Sequence, residues 1–294
     1  MSDTSAGEPV SAPRPPAPIP SDDPRALAWR RLVGVIDRLR EPDGCPWDRE
    51  QTAESMAPHL IEEAHELLEA IEAGEPSAIA EEAGDVLMNV ALICRIGMEH
   101  GEYDLTQAAD AITEKLIRRH PHVFGDVEAE TSAAVLVNWE AIKKAERRAK
   151  DQDDSALAGV PKTLPALQRA RRVCDKAVTA GFRWQSVAGA YAKLTEELGE
   201  LDEVLPQSVL GADFRPQLEP DVRARIEHEL GDVLLAGAFL GEYLGLDPER
   251  LCREAVRRFE RRFRSMEREL GGSVAGPGLD ELMAAWERAK TGDP

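Results

Sequence analysis

The chain has 294 residues, about two ordinary domain lengths. Its 36 Lys and Arg stand against 55 Asp and Glu, a formal net charge of −19, which excludes the clustered positive surface that non-specific nucleic-acid or anionic-membrane binding needs. Apolar residues make up 43%, enough for packed cores, so wholesale disorder is excluded as well. No apolar run approaches the roughly 18 residues of a membrane span, and the first residues lack the pattern of a signal peptide. Cys45, Cys94, Cys174 and Cys252 stand far apart with no CxxC spacing, which argues against both zinc and a disulfide framework. A cytoplasmic protein that binds neither nucleic acid nor membrane is predicted.

Residues 1–24 hold seven of the twenty prolines and almost no large apolar residue, and are predicted to be a disordered tail. From 25 onward the pattern is helical. Leu60, Ile61, Ala64, Leu67, Leu68 and Ile71 repeat at the 3.6-residue period. The segment 86–98, VLMNVALICRIGM, is apolar nearly all round, as a helix buried on every side would be. Segments 105–120 and 134–149 are amphipathic, and they complete an N-terminal module over 25–149. Charge, Gly and Pro then break the pattern, giving a linker at 150–163. Helical patterns resume at 164–180, 187–205, 221–244, 248–270 and 278–290, with a long loop at 206–220, in a C-terminal module over 164–294. No period-2 alternation persists anywhere. The prediction is all-α.

The two halves repeat one another. EEAHE (62–66) answers EELGE (196–200), EEAGDVL (81–87) answers HELGDVL (228–234), and KLIRRH (115–120) answers RFERRF (258–263). Trp139 with Lys143 answers Trp286 with Lys290, and Trp47 and Trp184 precede the acidic strings in the same order. Two tandem copies of one helical module follow.

The acids carry the chemistry. On a helix, Glu63 and Glu66 lie about 60° apart, with Glu63 at the border of the apolar stripe. On the next helix Glu82, Asp85 and Asn89 form a narrow polar stripe entering an apolar cylinder. Carboxylates in that position repel one another and are costly to bury unpaired. A hard divalent cation relieves both problems. Glu197, Glu200, Glu229 and Asp232 repeat the arrangement. A single such string is ordinarily a solvated face; its pairing on adjacent helices and its recurrence point to metal. Only Glu62–His65 has the ExxH spacing a di-iron bundle requires twice, so all-oxygen ligation of Mg²⁺, with Mn²⁺ as substitute, is predicted.

The basic residues are spaced for anions. Lys115 with Arg119, and Arg258 with Arg262, are i, i+4 pairs, and Arg matches phosphate oxygens with its planar fork. Trp139–Lys143 and Trp286–Lys290 each present a ring and an ammonium together. The alternative for the basic residues is pairing with neighbouring Glu, and for Trp a place in the core. His120 and His122, in HPHVF, have structural or exposed roles as their simplest reading.

Together these motifs resemble the MazG family of nucleoside triphosphate pyrophosphohydrolases. LREPDGCPWDREQT (39–52), LIEEAHELLEAI (60–71), EEAGDVLMNVAL (81–92), KLIRRHPHVF (115–124) and NWEAIKKAE (138–146) carry the likeness in the first half. GFRWQS (181–186), KLTEELGELDEV (193–204), ELGDVLL (229–235), RFERRFRSMERE (258–269) and LMAAWERAK (282–290) carry it in the second. The resemblance implies an all-α homodimer that uses Mg²⁺ to cleave nucleoside triphosphates between the α- and β-phosphates. It implies Glu63, Glu66, Glu82 and Asp85, and Glu197, Glu200, Glu229 and Asp232, as metal ligands. In the C-terminal copy it implies Lys193, Arg258, Arg262, Trp286 and Lys290 as nucleotide contacts. Two positions depart from the pattern: Arg258 stands where Lys is expected, and His59 stands where the second copy has Lys193. The first copy keeps its carboxylates with Lys115, Arg119, Trp139 and Lys143, so activity is expected in the C-terminal copy first and is open in both.

The predicted chemistry is metal-assisted phosphoanhydride hydrolysis, with Glu196 and Glu62, first in their strings, as catalytic groups that orient or deprotonate water. Stacking reads no particular base edge, so broad base specificity and nucleotide-pool housecleaning are expected. Two alternatives stay open: a hydrolase restricted to one non-standard nucleotide such as dUTP, and a non-catalytic nucleotide-sensing dimer scaffold.

Overall fold

A computed structural model describes residues 16–149, 153, 155–211 and 214–292. The greater part of the predicted tail, residues 1–15, and residues 150–152 and 154 of the predicted linker lie outside the described residues. Thirteen helices and no strand occur among those described. The chain divides into two compact units, Met1–Asp151 and Gln152–Pro294.

The first unit holds α1 (Pro24–Leu39), α2 (Pro46–Glu50), α3 (Ala53–Ala73), α4 (Pro76–His100), α5 (Leu105–Arg119), α6 (Pro121–Phe124) and α7 (Ser132–Ala149). Its centre is the hairpin of α3 and α4, the most closely packed pair in the unit. Thr52 and Ser55 form a reciprocal capping box that starts α3. Gly74 ends it at φ 76°, a left-handed conformation that a side chain would strain, and Pro76 at the first turn starts α4. Helix α1 packs across α4, and Ile36, Met56, Ala91, Leu92 and Ile96 form the core between them. Helix α5 is capped by Asp104 and packs on α4, and α7 rests on α5.

The second unit holds α8 (Ala166–Thr179), α9 (Val187–Val204), α10 (Gln207–Leu210), α11 (Pro220–Tyr243), α12 (Pro248–Glu269) and α13 (Leu279–Thr291). Helices α9 and α11 repeat the hairpin, α8 packs on α11, and α12 packs chiefly on α13. Among the described residues its buried apolar side chains are mostly small, Cys174, Ala190, Ala236, Ala238, Ala285 and Ala289 with the longer Met266, and Lys176 and Glu197 are buried beside them.

The segment 86–98 differs from its expectation. Asn89, Ala91, Leu92, Cys94, Ile96 and Gly97 are buried, but Leu87, Val90 and Met98 are exposed. Among the described residues, α4 packs on α3, α1 and α5, and Leu87, Val90 and Met98 lie outside those contacts. The second hairpin does the same, with Tyr191, Leu198 and Leu234 exposed on α9 and α11.

Candidate active site

The two hairpins bring the predicted carboxylates together twice. Oxygens of Glu63, Glu66 and Glu82 lie within 4.8 Å of one another, and so do those of Glu197, Glu200 and Glu229. Each triad takes two acids from one helix, three residues apart, and one from the antiparallel neighbour. Helical geometry puts the first two on one face, and the hairpin turns the third towards them. Asp85 and Asp232 stand outside these triads. The Asp85 charge still acts on Glu63 and Glu82, whereas Asp232 Oδ2 lies 3.6 Å from His228 Nε2.

In the first triad the acids act chiefly on one another. Burial, then the charges of Asp85, Glu66 and Glu62, push the Glu63 carboxyl up, with His59 opposing them. Burial, then Glu66, Asp85 and Glu63, do the same to Glu82. Beneath them, Asn89 is buried at 1% exposure; its amide donates to the Asp85 carbonyl at 3.1 Å, and its Oδ1 has no hydrogen-bond partner. The second triad carries its own cation. Lys193 Nζ donates to Glu197 Oε1 at 2.7 Å and Glu196 Oε1 at 2.8 Å, which raises the ammonium and holds the buried Glu197 carboxyl down. Glu200 is pushed up, first by donating a hydrogen bond to Glu197 and then by burial. In the first copy His59 takes this place, its Nδ1 3.9 Å from Glu62 Oε2. Donors that are all carboxylate oxygens, close-set and mutually repelling, fit a hard divalent cation.

The basic residues are mostly engaged elsewhere. Arg119 Nη2 reaches Glu146 Oε2 at 2.5 Å and Arg118 Nε reaches Glu146 Oε1 at 2.7 Å. The Arg119 guanidinium also lies 5.7 Å from the Trp139 ring centroid, with the His120 ring edge-on to Trp139 at 4.8 Å. Lys143 pairs with Glu140 at 2.6 Å, and Lys115 is exposed on α5. In the second unit Trp286 packs against Phe259 with centroids 5.2 Å apart, and Lys290 pairs with Glu287 at 2.9 Å. Arg258 is exposed on α12, and Arg262 lines a cleft of about 720 Å³ with Arg268 and Arg288. The structure therefore gathers the acids on α3–α4 and α9–α11. Lys193 apart, it sets the predicted nucleotide contacts, Trp139 and Trp286 included, on α5, α7, α12 and α13.

The Glu146 clasp has a pH consequence. Hydrogen bonding to Arg119, outweighing burial, and then to Arg118 brings the Glu146 carboxyl from 4.5 down to about 2. A folded-state value below the unfolded one stabilises above pH 4.5, and that stability is lost as pH falls towards 2. A depression of this size corresponds to about 3 kcal/mol. Since α7 has few other contacts with α5, the expected result is that acid in this window loosens α7, read by amide hydrogen exchange. Glu146→Gln should loosen it at neutral pH and flatten the acid response; an unchanged exchange pattern would show that the clasp does not hold α7.

Arg40 and Trp47 were not singled out as functional by sequence reasoning. Arg40 is buried, and it joins α2 to the end of α4 through Glu99. Its partner is 59 residues away, and no local pattern marks such a pair.

Comparison with known proteins agrees with this geometry. Residues 51–124, which span the first triad, match the MazG nucleotide pyrophosphohydrolase domain. The chain is 38% identical over 264 residues to the nucleoside triphosphate pyrophosphohydrolase of Escherichia coli strain K12, covering 88% of this chain and 96% of that one. It is also 38% identical over 270 residues to the nucleoside triphosphate pyrophosphohydrolase/pyrophosphatase MazG of Thermotoga maritima, covering 91% and 97%. Likeness of that depth, spread along nearly the whole of both relatives, shows that the chain belongs to the MazG family.

Proposed function

We propose that the protein is a cytoplasmic nucleoside triphosphate pyrophosphohydrolase that cleaves between the α- and β-phosphates, releasing a nucleoside monophosphate and pyrophosphate, with broad base specificity. The observation that carries this reading is the twofold convergence of three carboxylates from two antiparallel helices. The names of the relatives from Escherichia coli and Thermotoga maritima support it. We take 25–149 and 164–294 as the two tandem modules and Mg²⁺ as the ion, held by Glu63, Glu66 and Glu82 with Asp85 beside them, and by Glu197, Glu200 and Glu229 with Asp232. An ion there supplies positive charge against the phosphate oxygens and against a water that is to lose its proton.

The chain's own groups do the rest. Glu196 is 57% exposed at its side chain, next to but outside the triad, and shares Lys193 with Glu197, so once Lys193 turns to a phosphate its carboxylate can hold the attacking water and take its proton. Glu62, 67% exposed, has the same position in the first module. Arg119, Lys115, Lys143, Arg258, Arg262 and Lys290 neutralise the polyphosphate, exchanging Glu partners for phosphate oxygens where they have them. Trp139 and Trp286 offer ring surface to the base. A homodimer would cover the exposed apolar faces of both hairpins and would bring basic helices of one copy within reach of the acids of the other.

Purified protein with Mg²⁺ and a panel of nucleoside triphosphates should give monophosphate plus pyrophosphate, read by anion-exchange chromatography. Diphosphate plus phosphate, or no product, would overturn the reading. In a chain that also carries Glu63→Gln, so that the N-terminal triad cannot mask the effect, Glu196→Gln is expected to cut turnover about 10²-fold while metal-dependent nucleotide binding persists. Loss of binding instead would make Glu196 a ligand.

A further inference from the structure

Trp47 is 52% exposed in a segment that is otherwise held in place from several sides. Cys45 N donates to the Leu39 carbonyl at 2.8 Å, Arg49 Nη1 to the Pro42 carbonyl at 2.7 Å, and Gln51 Nε2 to the Trp47 carbonyl at 2.9 Å. Gly44 allows the turn before it, since a Cβ there would fall 2.2 Å from the Leu39 carbonyl oxygen. Underneath, Arg40 donates to the Asp48 and Gln51 carbonyls and grips Glu99 with two bonds. A large ring left in solvent on so fixed a base is not explained by packing.

Its position gives the reason. The Trp47 ring lies 5.9 Å from the His59 ring, nearly perpendicular to it. His59 is one helical turn, about 6 Å, before Glu63 on the same face of α3, and it also faces Glu62. The exposed ring thus stands one ring contact and one helical turn from Glu63, on the side of the N-terminal triad. In the second module the corresponding Trp184 is engaged differently. It is half-buried, edge-on to Phe239 at 5.3 Å, and its carbonyl accepts from Tyr243 Oη at 3.1 Å.

We propose that Trp47 is the platform on which the base of a nucleotide stacks when its phosphates lie at the Glu63–Glu66–Glu82 triad. This rests on the hydrolase reading above and adds a base-binding residue to the N-terminal module. Stacking on an aromatic ring accepts every base, so the platform contributes affinity rather than selection among bases. Trp47 binds and positions; it transfers no proton.

The test uses the full chain carrying Glu197→Gln, which silences the C-terminal triad, with Mg²⁺ and isothermal titration calorimetry. A methylene-bridged ATP analogue and inorganic tripolyphosphate are titrated separately. Trp47→Ala is expected to weaken the analogue about tenfold or more, to leave tripolyphosphate within about twofold, and to be largely rescued by Trp47→Phe. Equal binding of the analogue by parent and Trp47→Ala, with tripolyphosphate bound by both, would overturn the platform and leave the hydrolase reading standing. Equal weakening of both ligands would make Trp47 a structural residue. A change in sedimentation on Trp47→Ala would make it a contact between copies and overturn the proposal likewise. If the parent binds neither ligand, nucleotide binding at that triad fails, and the platform with it.

Discussion

A protein carrying both Glu63→Gln and Glu197→Gln is expected to lose about 10³-fold or more of its nucleoside triphosphate hydrolysis. Each substitution takes one charge from a triad whose oxygens lie within 4.8 Å of one another. Several kcal/mol of transition-state stabilisation depend on the cation those charges hold, and each 1.36 kcal/mol is tenfold in rate. Both sites must be changed, because either intact triad would sustain turnover and mask the loss in the other. The amide is nearly isosteric and removes repulsion that now raises Glu63, so the fold should survive without a divalent ion. Mg²⁺ should raise the melting temperature of the parent through binding to the folded state, and should not raise that of the variant. Hydrolysis within tenfold of the parent would place the metal ligands elsewhere.

The second large effect falls on stability. Arg40→Met is expected to cost about 3 kcal/mol, or roughly 6–12 °C in the melting temperature of the N-terminal unit. The Arg40 side chain is 4% exposed, and its guanidinium meets Glu99 at 2.9 and 2.6 Å and two backbone carbonyls of the α2 segment. Removing the cation leaves Glu99, whose carboxyl Arg40 holds down, with the longer 3.3 Å contact to Arg95 Nη1, and takes the donor from those carbonyls. Adding Glu99→Leu should recover only part of the loss, since the apolar pair removes the weakened carboxylate but not the stranded carbonyls. Differential scanning calorimetry separates the cases; full recovery in the double variant would mean that the carbonyl bonds contribute nothing.

The helices and the acids could be read from local signals. The predicted 187–205 is observed as Val187–Val204, and the predicted 221–244 as Pro220–Tyr243. Such elements are marked by the 3.6-residue period and by Pro at their first turns, which act within a few residues. The triads followed because i, i+3 spacing fixes a face, and the order of the repeat pairs two helices. What local signals could not supply was the covering of each face. Residues 86–98 look alike in sequence, yet Leu92 is buried and Leu87 exposed, because hydrophobicity does not say on which side the neighbours lie. Nor could they tell that Arg119 meets Glu146, 27 residues on, or that Lys193 holds Glu197 rather than a phosphate. The short α2 helix is kept in place by Arg40 and Glu99, and the period of five residues says nothing of that.

Lys193 leaves the two halves unequally prepared for a shortage of divalent ions. In the C-terminal hairpin its ammonium is a resident counter-ion, so the buried Glu197 stays compensated when no metal is at hand. His59 stands 3.9 Å from Glu62 and offsets Glu63 only in part, so the N-terminal acids still repel one another. If the triads hold divalent ions as proposed, cation starvation would keep one hairpin poised and let the other relax. Ion availability would then grade the two halves separately, through one internal amine.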